Sequence, residues 1–392
     1  MKKLIKAILV IFLVMQISGC AQSKTTVDTQ DEWNALFDLN RFTNVKIKQT
    51  GDYKDLTSEE ETSENDYSDE VTAYSCDNIL QIVFEDSSIY YEKDFENSKI
   101  KYYSQIGKDM FTVDEEILSS EEIEAEYNGV LSSYILGNYD FTTYYNEATY
   151  DENKKCYSFE YNDTENDFTF ETEVYPKDSY LAKLVVYFVE EGYSYTLTTE
   201  FENYGKVSIK LPTVNNTISN DEEWDNLFDV NKYKNCIVFK DKATYAEQIE
   251  LEEDLIHYMK YDYETDAYSE YYFEKTDDPY LQNVTEVNED GTFKQYQGNY
   301  GNFEGVQTFD DYYLVNTFEK DFKGYFRRTT WVDDHYEFKI NNGNTTKNVS
   351  IYVSDGYLVT IMIEEGEGEN ATFNQISITN FNTTKFSIPD NK

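Results

Sequence analysis

The sequence predicts an α+β chain, mainly antiparallel β, built as two tandem copies of one domain. Three observations predict it. One phrase occurs twice, as "DEWNALFDLNRFTNVKIK" at 31–48 and "DEEWDNLFDVNKYKNCIVFK" at 221–240. Most of the remaining chain alternates apolar and polar residues with the period of two expected of half-buried strands. Only one long stretch shows a clear helical period instead.

The N-terminus is a separate matter. It reads MKKLIKAILVIFLVMQISGC, with Lys2, Lys3 and Lys6 before an apolar run from Ala7 to Val14. That run is too short to span a bilayer and has the layout of a secretory signal. It ends in Ile17-Ser18-Gly19-Cys20, which resembles the bacterial lipobox. Small residues let a peptidase reach the bond before the cysteine, and the Cys20 sulfur receives a diacylglyceryl group. Residues 1–19 are therefore expected to be a lipoprotein signal peptide, Cys20 the lipidation site and 20–26 a tether. Each buried CH₂ contributes about 0.8 kcal/mol, so two long acyl chains hold a protein at a membrane. The expected place is the extracytoplasmic face of the cell membrane, lipid-anchored, in a Gram-positive bacterium.

Charge narrows the partners. The chain has 33 Lys and Arg against 77 Asp and Glu. Loss of the leader's three lysines leaves 30 bases and a formal charge of −47. Nucleic acid is excluded as a partner, because its binding rests on cations that neutralise phosphates. A solvated, repulsive surface is the plain reading of such a balance. Besides Cys20 there are Cys76, Cys156 and Cys236. An odd set is no complete disulfide framework; a Cys76–Cys156 pair remains open beside buried apolar thiols.

The repeated phrase aligns Trp33 with Trp224, Leu36 with Leu227 and Phe37 with Phe228. Apolar residues at i, i+3 and i+4 predict a short helix in each copy. Thr29 with Glu32, and Asn220 with Glu223, supply capping-box starts. A strand follows, with Val45 and Ile47 matched by Cys236 and Val238, which makes Cys236 a core residue. The two tryptophans are likewise expected in the core. Further on, "CYSFEYN" at 156–162 parallels "HYEFKIN" at 335–341, and "YGKVSIKLP" at 204–212 parallels "FNTTKFSIP" at 381–389. The offset drifts from 191 to 177, as loop differences between two copies require. The expected boundaries are 27–212 for the first domain, 213–218 for a linker and 219–392 for the second.

Within the first copy, strands are expected at "DNILQIVFED", "SIYYEKDF", "SKIKYYSQI", "CYSFEYN", "FTFETEVY" and "YLAKLVVYFVE". The helical exception is "SSEEIEAEYNGVLSSYILG" at 119–137. Ser119 and Glu122 make a capping box, Ile123, Tyr127, Val130, Leu131, Tyr134 and Ile135 form one stripe, and Gly137 is the stop. "VQTFDDYYLVNTFEKDF" at 306–322 holds the corresponding place in the second copy with a weaker pattern. Residues 52–70, with nine acids and one lysine, read as a loop.

This order of helix, antiparallel strands, amphipathic helix and closing strands resembles the LolA-like and LppX/LprG-like lipoproteins. The resemblance rests on layout and on the "YGKVSIKLP" type of ending. It implies two tandem curved half-barrel sheets, each packed on a few helices. It also implies an apolar or amphiphilic, lipid-like ligand between sheet and helices, and no catalytic residue.

Chemistry-bearing motifs are few. His257 and His335 lie in different copies and form no zinc pair; there is no HExxH, CxxC, GxSxG or phosphate loop. "DTEND" at 163–167 and "DYETD" at 262–266 alternate oxygen ligands but lack the Gly and Glu of a calcium loop. Paired carboxylates cannot be picked out among 77 candidates. The sequence thus predicts no enzyme, no cofactor, no metal and no catalytic residue. The expected function is binding an apolar or amphiphilic ligand; the alternative is a structural or interaction module whose acidic surface contacts an envelope or host protein. The richer helix stripe, with Tyr127 and Tyr134, places the ligand on the first copy.

Overall fold

The computed structural model describes residues 24–56, 67–85, 87–137, 139–163, 168–190, 192–278, 280–288, 291–299, 309, 322–342, 345–366 and 371–389. The lipobox with Cys20, the run at 164–167 and most of 306–321 lie outside them. Clustering of the backbone gives two compact units: one runs through Lys101 and resumes over Glu116–Lys210, the other takes Tyr102–Glu115 with the chain from Leu211 onward.

The first copy opens with helix α1 (Gln30–Leu36), then β1 (Asn44–Asp55), β2 (Tyr67–Cys76), β3 (Ile79–Val83), β4 (Ser88–Asp94), β5 (Lys99–Gly107) and β6 (Met110–Ile117). Helix α2 (Ser120–Leu136) follows, then β7 (Thr149–Asp151), β8 (Cys156–Asp163), β9 (Phe168–Lys177), β10 (Tyr180–Glu190) and β11 (Tyr193–Glu202). The second copy has α3 (Asp221–Asn226), β12 (Cys236–Asp241), β13 (Tyr245–Leu251), β14 (Leu255–Asp262), β15 (Ala267–Lys275), β16 (Leu281–Val287) and β17 (Phe293–Asn299). It ends with β18 (Thr330–Val332), β19 (His335–Asn342), β20 (Thr345–Ser354), β21 (Tyr357–Glu365) and β22 (Thr372–Thr379).

Each copy makes one eleven-stranded antiparallel sheet. The orders are β6-β5-β4-β3-β2-β1-β11-β10-β9-β8-β7 and β17-β16-β15-β14-β13-β12-β22-β21-β20-β19-β18, one topology used twice. Two hairpin meanders are joined where the first strand of each copy pairs with its last, and such sheets fit tandem half-barrels. The expected fold class of antiparallel β with few helices is the observed one.

Side-chain pins repeat with the topology. Trp33 and Trp224 are fully buried, and their indole N–H groups donate to Phe141 O and Phe322 O, both at 2.9 Å. The Tyr157 hydroxyl bridges the N–H and C=O of Val27, and that of Tyr336 bridges those of Ile218. Asp178 N donates to Lys24 O and the Asp178 carboxylate accepts from Lys24 N, as Asp355 does with Asn215. Asn215 and Ile218, read as linker from sequence, therefore hold the places of Lys24 and Val27 in the second copy.

Three local expectations change. The "YGKVSIKLP" and "FNTTKFSIP" endings join no strand ladder; asparagine clamps hold each as an extended segment. Asn44 accepts from Val207 N and donates to Val207 O, and Asn235 does the same with Thr384. The acidic loop is shorter than expected, since 52–55 and 67–70 are paired strand. In α1 and α3 the capping glutamates reach one residue further back than in a reciprocal box: Glu32 accepts from Asp28 N and Glu223 from Ser219 N. Only α2 has the full box, Ser119 with Glu122, and it ends at Gly137 with φ +61° as expected.

Candidate functional site

The face of each sheet that carries the buried apolar residues is its inner face. On the first sheet α2 covers it. Ile123, Tyr127, Leu131 and Ile135 are at most 2% exposed, so these four of the stripe are taken up in packing, while Val130 and Tyr134 are half-buried. The Lys93 ammonium lies 4.3 Å from the Tyr127 ring centre and pairs with Glu124, which closes that end of the helix.

The second sheet differs. Period-two alternation puts Ile256, Tyr258, Phe273 and Val284 inward from β14, β15 and β16. With Lys260, Ser269, Tyr271, Gln282, Tyr296, Gly298 and Asn299 they surround a recess of about 280 Å³, apart from Ile256, which lies deeper. The Tyr271 and Phe273 rings are stacked at 5.9 Å, with Tyr258 6.5 Å from Tyr271. Burial pushes the Tyr271 and Tyr258 hydroxyls up from their ordinary pKa, and for Tyr258 the bond to Glu247 adds to it. Both stay neutral near pH 7. Two larger hollows, about 690 Å³ and 620 Å³, are bordered by Arg328, Glu337, Lys339 and Glu364, and by Asp69, Glu70 and Glu85, respectively. Val332, Phe338, Val349, Met362 and Phe373 also line the first, and Val71, Val83 and Phe84 the second; what sets the smaller recess apart is its four aromatic rings.

Beside the recess is a polar network that the sequence reading missed. Lys240 is 5% exposed, two residues beyond inward Val238, and its Nζ lies 3.8 Å from Glu247 Oε2. The Tyr258 hydroxyl donates to Glu247 Oε1 at 2.7 Å. The Lys260 and Lys242 ammonium groups approach the Tyr245 ring centre at 4.2 and 5.1 Å. The equivalent register of the first sheet, Ile47↔Ala73↔Ile82 against Val238↔Ile249↔Tyr258, puts Gln49, Val71 and Ile82 where the second has Lys240, Glu247 and Tyr258. Aligning the copies position by position would have exposed the exchange.

The other candidates resolve into structural roles. His257 on β14 sits between Glu250 and Glu270, 3.1 and 2.9 Å away, and stacks on Tyr272. His335 on β19 contacts Asp334 and Glu337 and stacks on Tyr352. The Asp262 carboxylate of "DYETD" accepts from Glu264 N, Thr265 N and the Thr265 hydroxyl, so it closes its own turn. Cys156 and Cys236 are buried free thiols; Cys76 is free and half-buried. Among the described residues no group of three or more His, Cys, Asp and Glu is placed to hold a metal, and no helix is long and apolar enough to cross a membrane.

No protein-family model matches the chain, and no curated protein matches it. Among solved structures it is distantly similar to transferrin-binding protein B from Haemophilus parasuis, at 5% identity over 86% of this chain and 76% of that one, with a TM-score of 0.15. It is similar at the same level to the DNA polymerase III beta chain from Streptococcus pneumoniae: 8% identity, 89% and 96% coverage, TM-score 0.13. Likeness this slight extends to neither fold nor function.

Proposed function

We propose that the protein is a lipid-anchored, extracytoplasmic binding protein without catalytic activity, and that it holds an apolar or amphiphilic ligand on the inner face of its second sheet. The observation that carries this reading is the recess of about 280 Å³ walled by Tyr258, Tyr271, Phe273, Val284 and Tyr296. Four aromatic rings share its lining with the polar groups of Lys260, Ser269, Gln282 and Asn299, which suits an amphiphilic guest, and its volume is near the roughly 300 Å³ lower end of small-ligand sites. The membrane tether follows from the lipobox at Cys20 and from a net charge that repels anionic lipid surfaces, which leaves acyl chains as the attachment.

The test is native mass spectrometry of the chain purified without detergent, in parallel with a recess-filling variant. A Cβ on Gly298 would meet Tyr296 and Val284 at 3.6 and 3.7 Å, ordinary contact distances, so Gly298→Leu fills the space from one wall. A co-purifying small molecule in the wild type that is absent from Gly298→Leu supports the reading. A clean apo mass together with no uptake of a fluorescent fatty acid overturns it. Acylation is tested separately: Cys20→Ala should abolish incorporation of a labelled fatty acid.

A further inference from the structure

We infer that the recess selects a single-chain amphiphile with an anionic head, and that the head is held where Lys242 and Lys260 flank Tyr245, with Lys240 behind them. This rests on the reading of the recess as a binding site and adds the chemistry of its ligand. Register fixes the geometry. Lys240 pairs with Glu247 and Glu247 with Lys260, while Tyr245 pairs with Asp262, so these side chains share the inner face with Val238 and Ile249. Lys260 is both a wall of the recess and a neighbour of Tyr245, which joins the apolar space to the cationic mouth.

Charge and comparison between the copies make the arrangement informative. In a chain with 77 acids and 33 bases, Lys240 on β12, Lys242 in the turn after it and Lys260 on β14 bring three cations to one region. Glu247 contacts Lys240 and Tyr258, while Asp262 closes its turn and also lies within electrostatic reach of Lys260. The first-copy positions that match Lys240, Lys242 and Lys260 are Gln49, Gly51 and Phe84, none of them a cation; Lys93, inward elsewhere on that sheet, pairs with Glu124. An ammonium is a compact donor well suited to a carboxylate or phosphate oxygen. The volume of about 280 Å³ is on the scale of one short acyl chain.

The experiment is calorimetric titration of the full chain, kept unacylated by Cys20→Ala, with four twelve-carbon probes: laurate, dodecyl phosphate, dodecyltrimethylammonium and dodecyl maltoside. The expected result is that an anionic probe binds about tenfold or more tightly than the cation and the neutral probe. Lys242→Glu, which lies outside the recess wall, should remove that preference while maltoside binding stays unchanged, and Lys260→Glu should weaken the anionic probe as well. Laurate alone or dodecyl phosphate alone would support the inference equally and name the head group. Equal binding of all four probes, abolished by Gly298→Leu, overturns the head-group inference and leaves the recess standing. Binding of none overturns both. Unchanged circular dichroism of the lysine variants ties any loss to charge.

Discussion

Lys240 and Glu247 show what one exchange of residue does on an inner face. Burying two charges is costly, and removing one partner strands the other in a poor solvent. Lys240→Met alone is therefore expected to destabilise the second copy by roughly 3 kcal/mol, because the Glu247 carboxylate loses its ammonium partner. Adding Glu247→Val, the residue of the first copy at that place, should recover most of the loss. Urea unfolding of the two variants measures this, and a double variant no more stable than the single one would count against the pairing. His257 gives a second residue-scale prediction, on pH. The His257 hydrogen bond, before any other cause, holds Glu250 below its ordinary pKa of 4.5, against the burial that raises it. A depressed carboxylate contributes stability that is present above the unfolded value and lost as pH falls through the folded one. Stability should thus decline on acidification below about pH 4.5, less steeply in Glu250→Gln. Equal slopes for both proteins would show that this contact carries no such linkage.

At the scale of elements, what the sequence could reveal depends on whether an element is fixed by its own residues. Helix α2 is: its box, its stripe and Gly137 are all local, and all were readable. The short helices were readable through Trp33 and Trp224 because the duplication states each signal twice. The closing segments were not. Their alternation imitates a strand, but their position is set by Asn44 and Asn235, 163 and 149 residues from the groups they clamp. Asn235→Ala removes both bonds to Thr384 and should cost roughly 1–2 kcal/mol, with faster amide exchange confined to the segment after Phe381. Protection unchanged there would show that the clamp does not hold the segment. The recess was hidden for a different reason. Tyr258, Tyr271 and Tyr296 are ordinary inward residues of their strands, and alternation cannot tell a covered inward residue from one that borders a cavity. The readable signal was the exchange of Gln49 and Val71 for Lys240 and Glu247 between aligned copies.

Over the whole molecule, the formal charge of −44 sets a field that no single pair controls. Self-repulsion of that size works against the compact state, and it is long-ranged at low salt, where the Debye length is about 30 Å at 0.01 M against about 10 Å at 0.1 M. Salt also weakens attractive pairs, but the exposed ones here, such as Arg327–Asp221 and Lys24–Glu32, are of the kind that contributes little. The nearly buried Lys240–Glu247 pair is screened much less. Repulsion therefore wins, and the melting temperature should rise as sodium chloride increases from about 10 to about 150 mM. Chloride is the right anion for this, since sulfate strengthens apolar burial for a separate reason. Attraction of an anionic probe to Lys242 and Lys260, read as the affinity lost in Lys242→Glu so that repulsion by the whole acidic chain largely cancels, should move the other way, weakening over the same range. One salt series read by melting and by laurate titration thus separates the two effects. A melting temperature that falls with salt would mean that attractive pairs outweigh the net charge. A wild-type advantage over Lys242→Glu that does not shrink with salt would place the laurate head away from the lysines.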